Sequence, residues 1–201
     1  MNIQTRSHRY LSSRGTILST SRDVFLRHGF TDTSMDTIAQ RSGVSKTTLY
    51  AHFESKEALF NQVVVDAVLE HGDDAACLFD LPAHQELRAR LVTLGCRITS
   101  ILLNPEAVAL IRLCVVEGTR MPRLSCEALA TARSNLLEAT CGFFAEQGIA
   151  PAREAAELFI VLTMRNLQLE AMLPWSDATT ADGCRQDAER VADLMLRLYG
   201  K

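Results

Sequence analysis

Lys46, Thr47, Thr48, Tyr50 and His52 crowd into one short stretch, with Ser45 before them and Lys56 shortly after. All are small or polar donors, and none is a large aliphatic side chain. Such a set suits the major groove of duplex DNA, where base edges offer donors and acceptors and thymine offers a methyl group. Hydroxyls and lysine also suit phosphate oxygens. Lys56 stands at the start of a further predicted helix, where unpaired backbone N–H groups add to the attraction for anions. Any one of these residues is equally at home on a solvated helix. Together they point to nucleic acid.

These side chains need two short helices and a tight turn to hold them. Ser34 is a plausible N-cap for a helix over Met35–Ser42, and Ser45 for one running through His52 or Phe53. Gly43 between them permits the left-handed conformation that a tight turn needs. Ile38 and Ala39 point inward from the first helix, and small Ala39 lets the second come close. Val44 plugs the turn. Leu49 and Phe53, four apart, anchor the second helix by its buried face. Two such helices joined through a glycine-containing turn make a helix-turn-helix. A helix over about 11–28 precedes them, with Ile17, Leu18, Val24 and Phe25 on one face and Gly29 as its stop. A longer one opens at Ser55-Lys56-Glu57 and reaches about His71.

The rest of the chain also reads as helix, because apolar residues recur at three and four and no segment alternates over strand length. Candidate helices are 84–103, 106–119, 124–147, 152–173 and 181–199. Leu81-Pro82, Asn104-Pro105, Met121-Pro122, Ala150-Pro151 and Leu173-Pro174 separate them, since proline lacks an N–H and disfavours helix in its predecessor. The chain has 201 residues, 47% hydrophobic and 22% charged, with 10 Gly and 5 Pro, a globular composition. Residues 1–60 hold eight Lys/Arg against five Asp/Glu, a net of +3, and residues 61–201 hold thirteen against nineteen, a net of −6. A basic first part on an acidic body fits an anionic partner for that part alone. No apolar run approaches a membrane span, so no membrane partner is expected. The basic N-terminus lacks a signal-peptide apolar core, which argues for a cytoplasmic location. The six cysteines, Cys77, Cys96, Cys114, Cys126, Cys141 and Cys184, form no C-x-x-C pair and no zinc spacing. They are expected to be reduced and mostly buried as small apolar residues.

The segment over about 11–62 closely resembles the DNA-binding domain of TetR-family transcriptional regulators. The resemblance begins with Phe25-Leu26-Arg27-His28-Gly29-Phe30, continues through Thr33-Ser34-Met35-Asp36-Thr37-Ile38-Ala39, and peaks over Gly43–Phe53 with Ser55-Lys56-Glu57. Ser42 stands where the family usually has Ala. Ala51 stands where a larger residue is common, which trims one potential DNA contact. The resemblance implies an all-α fold of about nine helices: an N-terminal three-helix DNA-binding domain over 1–57, with a disordered basic arm at about 1–10, and a helical effector-binding and dimerisation domain over 58–201. It implies that Thr47 and Thr48 face base edges, and that Lys46, Tyr50, His52, Thr33, Ser34 and Lys56 touch mainly phosphates. It further implies a homodimer, a pseudo-palindromic operator in double-stranded DNA, and a small-molecule effector that releases it. The stretch 106–125 is similar to the AefR-like group of C-terminal domains.

In the second domain, polar residues inside apolar stretches are the candidate effector contacts: Arg97, Arg112, Glu117, Arg165, Asn166 and Gln168, with Ile98, Cys114, Cys141 and Phe144 as walls. The three arginines could equally pair with glutamates on neighbouring helices. The apolar weight suggests a hydrophobic or amphipathic effector. Helix 152–173 is apolar around much of its girth, and the last helix carries an apolar stripe. Phe159, Leu162, Val191, Leu194, Met195 and Leu198 are therefore the candidate dimer interface, in a four-helix arrangement with two helices from each subunit. No Gly-rich phosphate loop, metal triad or G-x-S-x-G elbow supports an enzyme, and no cofactor is expected. A cysteine-based redox-responsive regulator, and a helical interaction module without DNA binding, stand as alternatives.

Overall fold

The computed structural model describes residues 3–69, 79–82, 84–120, 122–164, 171 and 181–200. Among these are nine helices and no strand: α1 Ile3–His28, α2 Met35–Ser42, α3 Lys46–His52, α4 Lys56–Leu69, α5 Leu87–Leu102, α6 Pro105–Glu117, α7 Pro122–Glu146, α8 Ala152–Met164 and α9 Ala181–Tyr199. The all-α reading holds, and α2, α3, α4, α6, α7 and α8 begin at the caps and prolines that the sequence marks. α1 begins at Ile3 rather than near Leu11. No proline or glycine stands before Gly15 to stop it. Among the described residues no single helix is long and apolar enough to cross a membrane.

The chain divides into two compact units, residues 1–66 with 110–130, and residues 67–109 with 131–201. The first unit takes in the end of α6 and the start of α7, a stretch that chain order alone puts with the second domain. Its core is built on Ile17, Leu18, Val24, Phe25, Phe30, Ile38, Leu49, Phe53, Leu59 and Phe60, all buried. Phe25, Phe30 and Phe60 pack on one another with ring centroids 5.1–5.9 Å apart, two of the three contacts edge-to-face. Aromatic pairs at this spacing add to the burial of their surface. Phe60 joins α4 to the end of α1, so the three-helix head is seated on α4.

In the second unit α5 and α9 lie tightly together. A Cβ at Gly95 would stand a tight 3.1 Å from the Cβ of Ala188, so a glycine eases this close approach. Arg88 grips Asp193 through two bonds, Nε to Oδ1 at 2.6 Å and Nη2 to Oδ2 at 3.1 Å. On α5, Leu91, Leu94, Ile98 and Leu102 are buried, and Phe144 meets Phe159 edge-on at 5.5 Å.

Candidate nucleic-acid interface

The helix-turn-helix is defined by its caps. The Ser34 hydroxyl accepts from the Thr37 N–H at 3.1 Å, and the Ser45 hydroxyl accepts from the Thr48 N–H at 3.0 Å. Each satisfies an N–H that the first helical turn would otherwise leave open. Gly43 closes α2 in the left-handed conformation, with φ +68°, and the Val44 N–H returns to the Ala39 carbonyl at 3.2 Å. Ile38 on α2 and Leu49 on α3 are both fully buried in the core of the head. Phe53 is buried below them, with the Arg14 guanidinium over its ring at 5.6 Å.

With Leu49 and Phe53 turned inward, the opposite face of α3 carries Lys46, Thr47, Tyr50 and Ala51, all exposed. Tyr50 is 52% exposed, far more than the other aromatic residues of the head core. Lys46 Nζ lies 2.6 Å from Asp36 Oδ2, both side chains 64% exposed. An exposed pair of this kind contributes little and leaves the ammonium available to a stronger anion. Thr48 is half-buried, with its hydroxyl 2.8 Å from that of Ser45. Ser34 is exposed at the α2 N-terminus, its hydroxyl also 2.9 Å from that of Thr37.

Three of the sequence-predicted contacts sit differently from the rest. Thr33 is only 3% exposed and donates its hydroxyl to the Gly29 carbonyl at 2.7 Å, tying the turn to the end of α1. Lys56 directs its ammonium at three carbonyls of that turn, Phe30 at 2.8 Å, Thr33 at 2.7 Å and Thr31 at 3.4 Å, and lies 4.3 Å from the centre of the Phe30 ring. His52 is half-buried, its Nε2 3.0 Å from the Ser13 hydroxyl. Burial, and then the Arg14 guanidinium, hold its imidazole below the usual range near 6.5. Ser13 and Arg14, which brace the C-terminal end of α3, carry no local sequence signal; each lies 39 residues before the residue it meets, His52 and Phe53 respectively.

The residues named for an effector site divide between the two units. Ile98 and Phe144 are buried in the second unit, and Cys141 is half-buried there. Arg97 donates to the Asp80 carbonyl at 3.1 Å. Arg112, Cys114 and Glu117 belong to the first unit. Arg112 is exposed and Cys114 is buried, its thiol pushed up to about 12 by that burial. Glu117 is buried and accepts from the Phe30 N–H and the Thr31 hydroxyl. Arg165, Asn166 and Gln168 lie outside the described residues. Of the residues named for a dimer face, Phe159, Val191 and Met195 are buried within the single chain. Leu162 is half-buried, while Leu194 and Leu198 are exposed on α9 and Val161 on α8. Among the described residues no cluster of His, Cys, Asp or Glu has the arrangement of a metal site.

Residues 17–63 match the family model for bacterial regulatory proteins of the TetR family, and residues 89–201 match that for the C-terminal domain of AefR-like transcriptional repressors. The transcriptional regulator UidR of Escherichia coli K12 is 38% identical over 64 residues, 32% of this chain and 31% of that protein, so the match spans about a third of the curated relative's length. A TetR-family regulator from Mesorhizobium loti MAFF303099 superposes with a TM-score of 0.77 at 24% identity, over 96% of this chain and 99% of the other, a likeness of fold. The flavonoid-responsive regulator FrrA superposes with a TM-score of 0.68 at 28% identity, over 93% of this chain and 96% of the other.

Proposed function

Since the chain belongs to the TetR family of transcriptional regulators, with an AefR-like C-terminal domain, we propose that it is a homodimeric repressor of a pseudo-palindromic operator. In this reading a small hydrophobic or amphipathic effector releases it from double-stranded DNA in the cytoplasm. The observation that carries the reading is the exposed face of α3. Lys46, Thr47 and Tyr50 stand out to solvent from a helix whose other face, Leu49, is fully buried. A helix this short cannot persist alone; it is held by its partners with its polar face outward, which is what groove reading requires. Thr47 is placed for base edges, and Lys46, Tyr50 and Ser34 for the flanking phosphates.

Dimerisation places two such helices one DNA turn apart or slightly more, about 34–36 Å in the simplest geometry. The exposed apolar side chains of α8 and α9, Val161, Leu194 and Leu198, supply surface for that contact. The buried apolar residues of the second unit, Ile98, Phe144 and Phe159 among them, suit the effector class, and flavonoid response in FrrA is of the same chemical kind. Release follows if the effector favours a state in which the two heads no longer match the operator. Selection of bound fragments from genomic DNA tests the reading. An enriched pseudo-palindrome is expected, bound with an affinity that falls steeply with salt as phosphate contacts release counterions. Tyr50→Ala combined with Thr47→Ala should abolish enrichment and leave the dimer intact. Recovery of no sequence by a dimeric, effector-free protein would overturn the assignment.

A further inference from the structure

We propose that Glu117 is the positioning residue that sets the reading head in its DNA-binding geometry, acting through the turn between α1 and α2; this rests on the functional reading above. Glu117 is the last residue of α6 and only 6% exposed. Its Oε1 accepts from the Phe30 N–H at 3.3 Å, and its Oε2 from the Thr31 hydroxyl at 3.2 Å. Among the described residues no cation pairs with it. Such a carboxylate is unfavourable on two counts. It is withdrawn from water without a counter-ion among the described residues, and it sits at the negative end of a helix dipole. An apolar residue of similar size would fill the space without either cost, so the carboxylate's role lies in what it holds.

What it holds is clasped from the other side as well. Glu117 takes the N–H of Phe30, while the Lys56 ammonium takes the carbonyls of Phe30 and Thr33. An anion from α6 and a cation from α4 thus grip opposite polar edges of the same short run of backbone. Each charge polarises the peptide groups toward the other, which strengthens both sets of bonds. Gly29 makes room for the anion: its φ is +76°, and a Cβ there would come within 3.1 Å of Glu117 Oε1. The turn ends at Ser34, the cap of α2, and α2 leads into α3 through the tight Gly43-Val44 turn, whose Val44 N–H returns to the Ala39 carbonyl. A shift of the turn therefore carries the reading helix with it. Recognition geometry tolerates displacements of only about 0.5 Å.

The test uses the full chain, the duplex selected by the wild-type protein and a scrambled duplex. Glu117→Gln keeps the shape and removes the charge. It is expected to weaken binding to the selected duplex about tenfold, the difference between a charge-assisted and a neutral hydrogen bond, and to leave the scrambled duplex within about twofold. Thr31→Val alone is expected to weaken the selected duplex about threefold. Combined with Glu117→Gln it should add less than it does alone, because both changes weaken the same contact. A purely structural role would give another pattern: a lowered melting temperature and a smaller active fraction, with unchanged dissociation constant and selectivity in the active protein. That pattern overturns the inference. Should Glu117→Gln not fold, Thr31→Val decides, and unchanged selectivity there also overturns it. A wild-type protein that selects no duplex overturns the functional reading itself, an outcome distinct from a selective wild type with an equally selective variant.

Discussion

Replacing Lys56 by methionine keeps most of its stem and deletes its charge. Two different roles for this residue then give two different outcomes. Its Nζ lies 2.8 Å from the Phe30 carbonyl, 2.7 Å from the Thr33 carbonyl and 4.3 Å from the Phe30 ring centre. Hydrogen bonds to a charged group contribute about 1.5–3 kcal/mol each, and a cation over an aromatic face about 0.5–1 kcal/mol at an exposed site. The ammonium is part-buried, and water can replace some of what is lost, so the two short bonds are taken at the low end and halved. With the ring contact the loss comes to about 2 kcal/mol. For a chain of this size that corresponds to about 4–8 °C in melting temperature. Denaturant unfolding followed by a probe in the DNA-binding head, with no DNA present, measures it directly. A Lys56→Met protein with an unshifted midpoint would refute the carbonyl clasp. If its operator affinity then fell with a salt slope lower by about one, Lys56 would be a phosphate contact, as the sequence suggests.

The His52 imidazole is held below its usual range by burial and then by Arg14. The unfolded chain therefore binds the proton more readily, and the stability this group contributes is present above its unfolded value near 6.5 and lost as pH falls from there through the folded value. Unfolding midpoints measured down a pH series should show that loss in the wild type and a smaller one in His52→Asn. Gly95→Ala brings a methyl to 3.1 Å from the Ala188 Cβ and 3.6 Å from the Phe159 ring. It should cost about 1–3 kcal/mol by denaturant unfolding, and Ala188→Gly should recover part of that in the double variant. Cys114 is pushed up to about 12, and Cys96 and Cys184 are also raised, in each case chiefly by burial. Thiolates are the reactive form, so these three should label slowly in the native protein and rapidly in denaturant. Rapid native labelling of Cys96 or Cys184 would reopen a redox role.

Much of the head was legible because its signals are local. Ser34 and Ser45 are read as caps from residue type and the apolar residues that follow, and each cap bond spans three residues. Gly43 is read as a turn because only a left-handed conformation closes α2 so sharply. The exposed face of α3 follows from Leu49 and Phe53 at four-residue spacing. The effector and dimer residues were less legible. Phe159, Val191 and Met195 belong to apolar stripes that periodicity cannot divide between a chain's own core and a partner's surface, and the structure buries them internally. Leu194 and Leu198, from the same α9 stripe, are left outside.

By itself the sequence determined the helices, their caps and breaks, and which face of α3 is polar, because these depend on contacts within one or two turns. Only the tertiary structure decided what the charged residues do. Lys56 reads as a phosphate ligand along the chain, and only the fold brings the carbonyls of a turn 23–26 residues before it to its ammonium. Glu117 reads as a pocket residue until α6 brings it to a backbone N–H 87 positions earlier. Charge finds its partner through space, and spacing along the chain carries no record of that.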